Sequence, residues 1–93
     1  MLVGACLLSG CAPTSKAYPN EFQRLWNEYE ELSPKRAIAI AGDPYRLWLA
    51  GMSGGHATQA EANQAALDSC MKQRAKNRQQ IPCRLYAEED RLL

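Results

Sequence analysis

The chain has 93 residues, which is enough for one domain at most, and its eleven basic and ten acidic residues give a formal net charge of +1. Such a nearly equal number of basic and acidic residues argues against a nucleic-acid-binding protein that works through bulk positive charge. An apolar content of 46% argues against wholesale disorder, and no stretch reaches the roughly 18 apolar residues of a transmembrane helix.

The N-terminus carries the pattern of a secretory signal. Residues 2–8 form an apolar run, and the small residues Ser9 and Gly10 precede Cys11. The tetrapeptide Leu8-Ser9-Gly10-Cys11 resembles the lipobox of bacterial lipoproteins. The resemblance implies that Cys11 carries a diacylglycerol on its thiol, that cleavage occurs before it, and that a fatty acid such as palmitate is added to the new amino group.

This resemblance predicts a signal peptide over residues 1–10 and a place in the bacterial cell envelope. By family analogy, Ala12 rather than aspartate after the cysteine favours the periplasmic face of the outer membrane. Cys6 lies in the segment to be removed. Signal peptides normally begin with a positive charge, and no lysine or arginine precedes the apolar run, so either the true start lies upstream, which we favour, or export is inefficient.

Residues 11–19 are predicted to be a lipidated tether, because two prolines and small polar residues keep such a segment extended. A single domain is predicted over residues 20–93. It begins with a helix at residues 20–32, which Asn20 caps together with Gln23.

The predicted helix has one apolar face with the spacing i, i+3, i+4, i+7. Its members are Phe22, Leu25, Trp26, Tyr29 and Leu32. The favoured interpretation is that this face packs on the domain's own sheet. The alternative is that Phe22, Trp26 and Tyr29 bind a partner, as amphipathic helices do in grooves or on membranes.

The remainder predicts a hairpin, a long helix and a third strand. Strands are expected at residues 36–41 and 45–52 around a Gly42-Asp43-Pro44 turn, with Tyr45, Leu47 and Leu49 on one face of the second. Thr58 and Glu61 form a capping box for a helix that runs to about residue 77. A strand is expected at residues 83–87, with a turn or frayed tail at residues 88–91. The predicted fold is therefore α+β, a small antiparallel sheet with both helices on one face.

Two cysteines remain once Cys6 is removed and Cys11 is acylated. Exported chains meet oxidising conditions, in which paired thiols form disulfides, so we predict a bond between Cys70 in the long helix and Cys83 at the start of the last strand. Two buried free thiols are the alternative if the chain stays in the cytosol.

Catalytic and cofactor chemistry are poorly supported. With one histidine and no Cys-x-x-Cys pair, we expect no metal site and no cofactor. His56 lies in a glycine-rich loop, and a Cys/His nucleophile would need Cys70 or Cys83, which the disulfide would occupy. We expect a protein that is not an enzyme, because no acid–base or nucleophile constellation assembles. A small envelope enzyme using His56 is the least favoured alternative.

The segments "EANQAALDSC" and "CRLYAEE", with the preceding strands, resemble small secreted bacterial domains of uncharacterised function over residues 36–88. The resemblance supports the fold and the disulfide and implies no activity. We expect a non-catalytic binding or structural lipoprotein, with a membrane attachment, a protein partner in the envelope and no nucleic acid. It could serve as an accessory subunit of an envelope complex, or alternatively as a periplasmic inhibitor or immunity protein.

Overall fold

The computed structural model describes residues 18–93. Along the chain the elements are α1 (Asn20–Glu30), β1 (Ala37–Gly42), β2 (Trp48–Ser53), α2 (Gln59–Lys76), β3 (Cys83–Glu88) and β4 (Arg91–Leu92). The α+β class is confirmed. Neither helix in residues 18–93 combines the length and the apolar character needed to cross a bilayer.

The strands form one antiparallel sheet in the order β2-β1-β3-β4. The three predicted strands are present, and β4 is an addition in the region expected to be a turn or tail. Arg91 pairs with Glu88 and Leu92 with Ala87 after a tight turn in which Glu89 has a φ of 51°. A two-residue strand is too short to leave an alternating pattern in the sequence, which is why the pattern missed it.

The central strand β1 is buried on both faces, and this corrects the prediction that both helices share one face. Ala37, Ala39 and Ala41 pack against α2, whereas Ile38 and Ile40 pack beneath α1 on the opposite face. The two helices therefore lie on opposite sides of the sheet. The sequence did not indicate this, because alanine is only weakly apolar. The run Ala37–Gly42 nevertheless has the continuous apolar character of a strand that is covered on both faces.

Helix α2 packs very close to the sheet because the residues at the contact are small. Ala62, Ala66 and Cys70 are fully buried against the alanines of β1. A β-carbon at Gly51 in β2 would lie 2.6 Å from the Ala66 carbonyl oxygen, so only glycine fits there. The predicted N-cap is confirmed, since the Thr58 hydroxyl accepts a hydrogen bond from the Glu61 amide at 3.1 Å.

Helix α1 starts and ends differently from its prediction. Pro19 rather than Asn20 occupies the N-cap position, where its carbonyl accepts a hydrogen bond from the Gln23 amide at 2.8 Å and no side chain caps the helix. Proline supplies no side-chain acceptor, so the capping box predicted for Asn20 and Gln23 is wrong. The helix ends at Glu30, two residues before its predicted end at Leu32.

Strand β3 contains an irregularity that supplies an extra side chain to the α1 face. The pairing with β1 shifts between Ile38, opposite Ala87, and Ala39, opposite Leu85, which leaves Tyr86 as the additional residue. Such a bulge re-aims side chains locally. As a result Tyr86 and Ala87 both pack beneath α1, while Leu85 packs towards α2.

Candidate functional surface

An aromatic cluster holds α1 on the sheet. Phe22 and Tyr29 are fully buried, and the Phe22 ring meets the rings of Trp48 and Tyr86 edge to face, with centroids 5.1 and 5.9 Å away. Aromatic pairs in this geometry stabilise a core beyond the area they bury. The favoured interpretation, that this face packs on the domain's own sheet, therefore holds for Phe22 and Tyr29, and their buried rings leave no surface for a partner.

Trp26 differs from the other two candidate contact residues because it is only partly buried. Its ring lies 5.1 Å from Tyr29 and 6.0 Å from Tyr86, measured between centroids. Trp26 thus contributes to the same cluster and retains some exposed surface at its rim.

Tyr18 belongs to the domain, although it was predicted to be part of the tether. Its hydroxyl lies 2.8 Å from the hydroxyl of Tyr86, and its ring stacks edge to face on Phe22 with centroids 4.8 Å apart. Burial, followed by the hydrogen bond with Tyr86, raises the pKa of Tyr18 well above its ordinary value. No periodic pattern indicated this position, because Tyr18 precedes the helix and follows a segment of tether-like composition.

The turn between β1 and β2 projects apolar side chains into solvent. Tyr45 is 46% exposed and Leu47 is 61% exposed. The prediction that β2 begins at Tyr45 is wrong, since the strand begins at Trp48 and the preceding residues belong to the turn. Leu49 packs on the α2 side of the sheet, whereas the Tyr45 ring lies beside Tyr18 on the α1 side, so these two side chains do not share a face.

This β1–β2 turn (Asp43–Leu47) is held by several hydrogen bonds. The Asp43 amide donates to the Leu47 carbonyl at 3.1 Å, and the Arg46 amide donates to the Asp43 carbonyl at 2.9 Å. The Asp43 carboxylate accepts from the Tyr45 amide at 2.8 Å, a common turn-stabilising contact of aspartate. Tyr45 and Leu47 are thus presented on a turn of defined shape.

Among the residues that the structure describes, strand β2 forms one edge of the sheet, and it carries neither a charged residue nor a proline. Hydrogen-bonded and non-hydrogen-bonded pairs alternate along an antiparallel ladder. The hydrogen bond between Asp43 and Leu47 identifies these two as a hydrogen-bonded pair, so in this register Trp48, Ala50 and Met52 occupy non-hydrogen-bonded positions. Their backbone amides and carbonyls therefore point away from β1, towards the free edge. Charges and prolines are common devices that keep an edge from pairing with another chain, and β2 has neither.

A polar cluster lies at the other end of the sheet from the turn. Arg36 forms ion pairs with Glu89 and Asp90, places its guanidinium 5.3 Å from the centroid of the Tyr29 ring, and donates to the Leu32 carbonyl. The Tyr29 hydroxyl donates to the Glu89 carbonyl at 2.7 Å. These contacts join the end of α1 to the β3–β4 turn, so the cluster has a structural role.

Glu88 continues this cluster towards α2. Its carboxylate accepts from the Asn63 side-chain amide and pairs with Arg91, both at 2.6 Å. These contacts lower the pKa of Glu88, the hydrogen bond from Asn63 contributing most. Within residues 18–93, no group of three or more metal-ligating side chains comes together.

The predicted disulfide is confirmed. Cys70 and Cys83 are bonded to each other, with α-carbons 6.1 Å apart, and join α2 to the start of β3. Neither sulfur is available as a thiol nucleophile in this state.

His56 lies in the loop before α2, where its amide donates to the Lys35 carbonyl at 3.5 Å. Among the described residues, its imidazole forms no hydrogen bond and no ion pair. Within residues 18–93, His56 therefore has no hydrogen-bonded acid or thiol.

The predicted lipidation site, Cys11, and the rest of the Leu8–Cys11 pattern lie outside the described residues. Comparison of the chain with protein-family models, with curated proteins and with solved structures found no match in any of the three.

Proposed function

We propose that this chain is a small lipoprotein of the bacterial cell envelope, held on the periplasmic face of the outer membrane through acylated Cys11, and that its domain is a non-catalytic binding or structural module. Two features support the envelope location. The residues Leu8–Cys11 have the order of a lipobox, and the Cys70–Cys83 disulfide is of a kind that persists in oxidising compartments and is rare in the cytosol.

The open edge of β2 is the observation that supports a binding role best. An uncharged edge strand offers unpaired backbone donors and acceptors to an extended segment, which can add to the sheet as a further strand. We propose that an extended segment of an envelope protein pairs with Trp48–Ser53, as an accessory subunit would do in a larger complex. The backbone groups of Ala50 lie at the centre of this edge.

The attachment is tested by intact-mass analysis of the protein extracted from membranes. We expect a chain that starts at Cys11, carries the added mass of one diacylglyceryl group and one further acyl chain, and has lost the two thiol hydrogens of Cys70 and Cys83. A chain without acyl mass, or with both thiols free, contradicts the proposed location.

The binding role is tested by capture of partners with the acylated protein, comparing wild type with Ala50→Pro. Proline removes the amide hydrogen at the free edge, so we expect the captured partner to be lost. Met71→Ser on the exposed surface of α2 is the matched control and should retain the partner. Circular dichroism verifies that both variants remain folded. Equal capture by Ala50→Pro and wild type, with both folded, contradicts binding at this edge.

A further inference from the structure

The N-terminal segment joins the domain directly beside the exposed β1–β2 turn. Tyr18 is the first described residue, and its ring centroid lies 5.5 Å from that of Tyr45. The hydroxyl contact with Tyr86 and the ring contact with Phe22 hold Tyr18 in this place. Whatever Cys11 is attached to is therefore linked to the domain at this corner.

The distance available to the attachment is short. Cys11 precedes Tyr18 by seven positions, and a fully extended chain of that length spans at most about 25 Å. If Cys11 carries lipid, Tyr18 lies within that distance of the bilayer surface at all times. The side of the domain that contains Tyr18 and the neighbouring turn is then the side to which the lipid attachment is joined.

We propose that the β1–β2 turn docks on the lipid bilayer, with Tyr45 and Leu47 inserted among the head groups. This inference rests on the proposed lipid attachment of Cys11. Leucine gains free energy by leaving water, and tyrosine has an apolar ring with a polar hydroxyl, which suits the membrane interface. Both side chains are already exposed, so docking requires no unfolding.

The charges around the turn suit phosphate head groups. Arg46 is exposed between the two apolar side chains, and the guanidinium of exposed Arg84 reaches the Gly42 carbonyl at 3.1 Å, next to the turn. Arginine binds phosphate through charge-assisted hydrogen bonds. The Asp43 carboxylate, the acidic group within the turn, is occupied by the Tyr45 amide. On α1, Glu30 is the acid whose charge acts on Tyr18.

Met71, another exposed apolar side chain, provides an internal comparison. Met71 is 50% exposed, close to the values for Tyr45 and Leu47. It lies on α2, which covers the face of the sheet opposite α1. If exposure alone decided which side chains contact lipid, Met71 would contact lipid as often as Tyr45 and Leu47. If the turn docks on the bilayer, Met71 stays in water.

The proposal is tested with the full acylated protein in vesicles of phosphatidylethanolamine and phosphatidylglycerol that contain a lipid with a photoactivatable diazirine near its head group. After illumination, mass spectrometry of peptides locates the lipid adducts. We expect adducts at Tyr45, Arg46 and Leu47 to exceed those at Met71 by about tenfold, a preference that corresponds to about 1.4 kcal/mol. The variant Tyr45→Ser/Leu47→Ser should lose the adducts at Arg46, and Met71→Ser should keep them.

The outcomes separate this inference from the proposed function. Protein that carries acyl mass and stays on the vesicles, but labels equally at Met71 and at the turn, overturns docking by the turn and leaves the lipoprotein proposal standing. Protein without acyl mass overturns both. In isolated cell membranes, a photoreactive leucine analogue incorporated at Leu47 that cross-links to a protein in place of lipid also overturns docking on the bilayer.

Discussion

The hydroxyls of Tyr18 and Tyr86 lie 2.8 Å apart and join residues 68 positions apart in the sequence. This contact links the chain before α1 to the irregular part of β3. It also closes the aromatic cluster around Phe22, since both tyrosine rings pack against that side chain. The position of α1 on the sheet is therefore set from its start, where the helix has no side-chain cap.

Two partly buried tyrosine hydroxyls make the stability of the domain sensitive to alkaline pH. Burial raises the pKa of Tyr29 to about 12 and shifts the pKa of Tyr18 in the same direction. A tyrosine in the unfolded chain titrates near pH 10, so the folded state favours the neutral phenol. This contribution is complete below pH 10 and is lost as the pH rises through 12. Chemical unfolding measured across that window should show a falling free energy of unfolding, and a slope unchanged in Tyr29→Phe would contradict the assignment.

Removing the Tyr29 hydroxyl should destabilise the domain at neutral pH. Tyr29→Phe deletes the hydrogen bond to the Glu89 carbonyl and leaves that acceptor without its donor, at a cost of about 1 to 3 kcal/mol in the free energy of unfolding. Tyr45→Phe is the matched control, because its side chain is half exposed and the change should be within about 0.5 kcal/mol. Equal effects of the two changes in urea unfolding would show that the Tyr29 hydroxyl has no structural role.

The close approach of α2 to β2 should make Gly51 intolerant of any side chain. A β-carbon at this position would lie 2.6 Å from the Ala66 carbonyl and 2.7 Å from the Ser69 carbonyl carbon. Because these are helix backbone atoms, Gly51→Ala should force α2 away from the sheet and cost about 1 to 3 kcal/mol or more. Thermal unfolding measures the loss.

Gly55→Ala is the comparison for this prediction. Gly55 has a φ of 73°, and the nearest atom to its β-carbon would be 3.7 Å away, so the cost there is backbone strain alone, about 1 kcal/mol. A Gly51→Ala variant no less stable than Gly55→Ala would contradict close packing of α2 on the sheet.

Much of the fold could be predicted from local patterns in the sequence. The Thr58 cap, the apolar face of α1 and the alternation in β1 depend on neighbouring residues, and each predicted its element. The Cys70–Cys83 pairing followed from cysteine number and from the inferred compartment. These features share the property that their physical cause lies within a few residues or in a simple count.

The features that the sequence did not reveal depend on contacts between distant segments. Nothing near Tyr18 indicates that its hydroxyl meets Tyr86, and nothing near Ile38 indicates a shift in register. The placement of the helices on opposite faces was not predicted, because the small apolar side chains of the β1 alanines suit either a covered or an exposed face. The exposed turn was missed because Tyr45 and Leu47 continue the alternation of β2 although their backbone has left the strand.

The carboxylate of Glu88 should titrate below the ordinary range of glutamate because of its partners. The Asn63 side-chain amide is the main cause and Arg91 the next, so Asn63→Ala should raise the pKa of Glu88 towards its ordinary value. A lowered pKa stabilises the fold above the unfolded value, and the contribution is lost as the pH falls through the folded value. Carboxyl NMR titration of wild type and variant measures the shift directly. An identical Glu88 titration in Asn63→Ala would contradict the role assigned to the amide.

The disulfide should contribute a large share of the stability of this small domain. Cys70 and Cys83 are separated by 13 positions, and closing a loop of that size in the unfolded chain stabilises the fold by about 3 kcal/mol in the chain-entropy account. Cys70→Ala/Cys83→Ala should therefore lower the free energy of unfolding by about that amount, measured by urea unfolding. The control is wild type unfolded in the presence of a thiol reductant. Its free energy of unfolding should fall by a similar amount, because reduction opens the same loop without replacing either cysteine. Full stability in the double variant would mean that packing between the alanines of α2 and β1 holds the helix on the sheet without the bond.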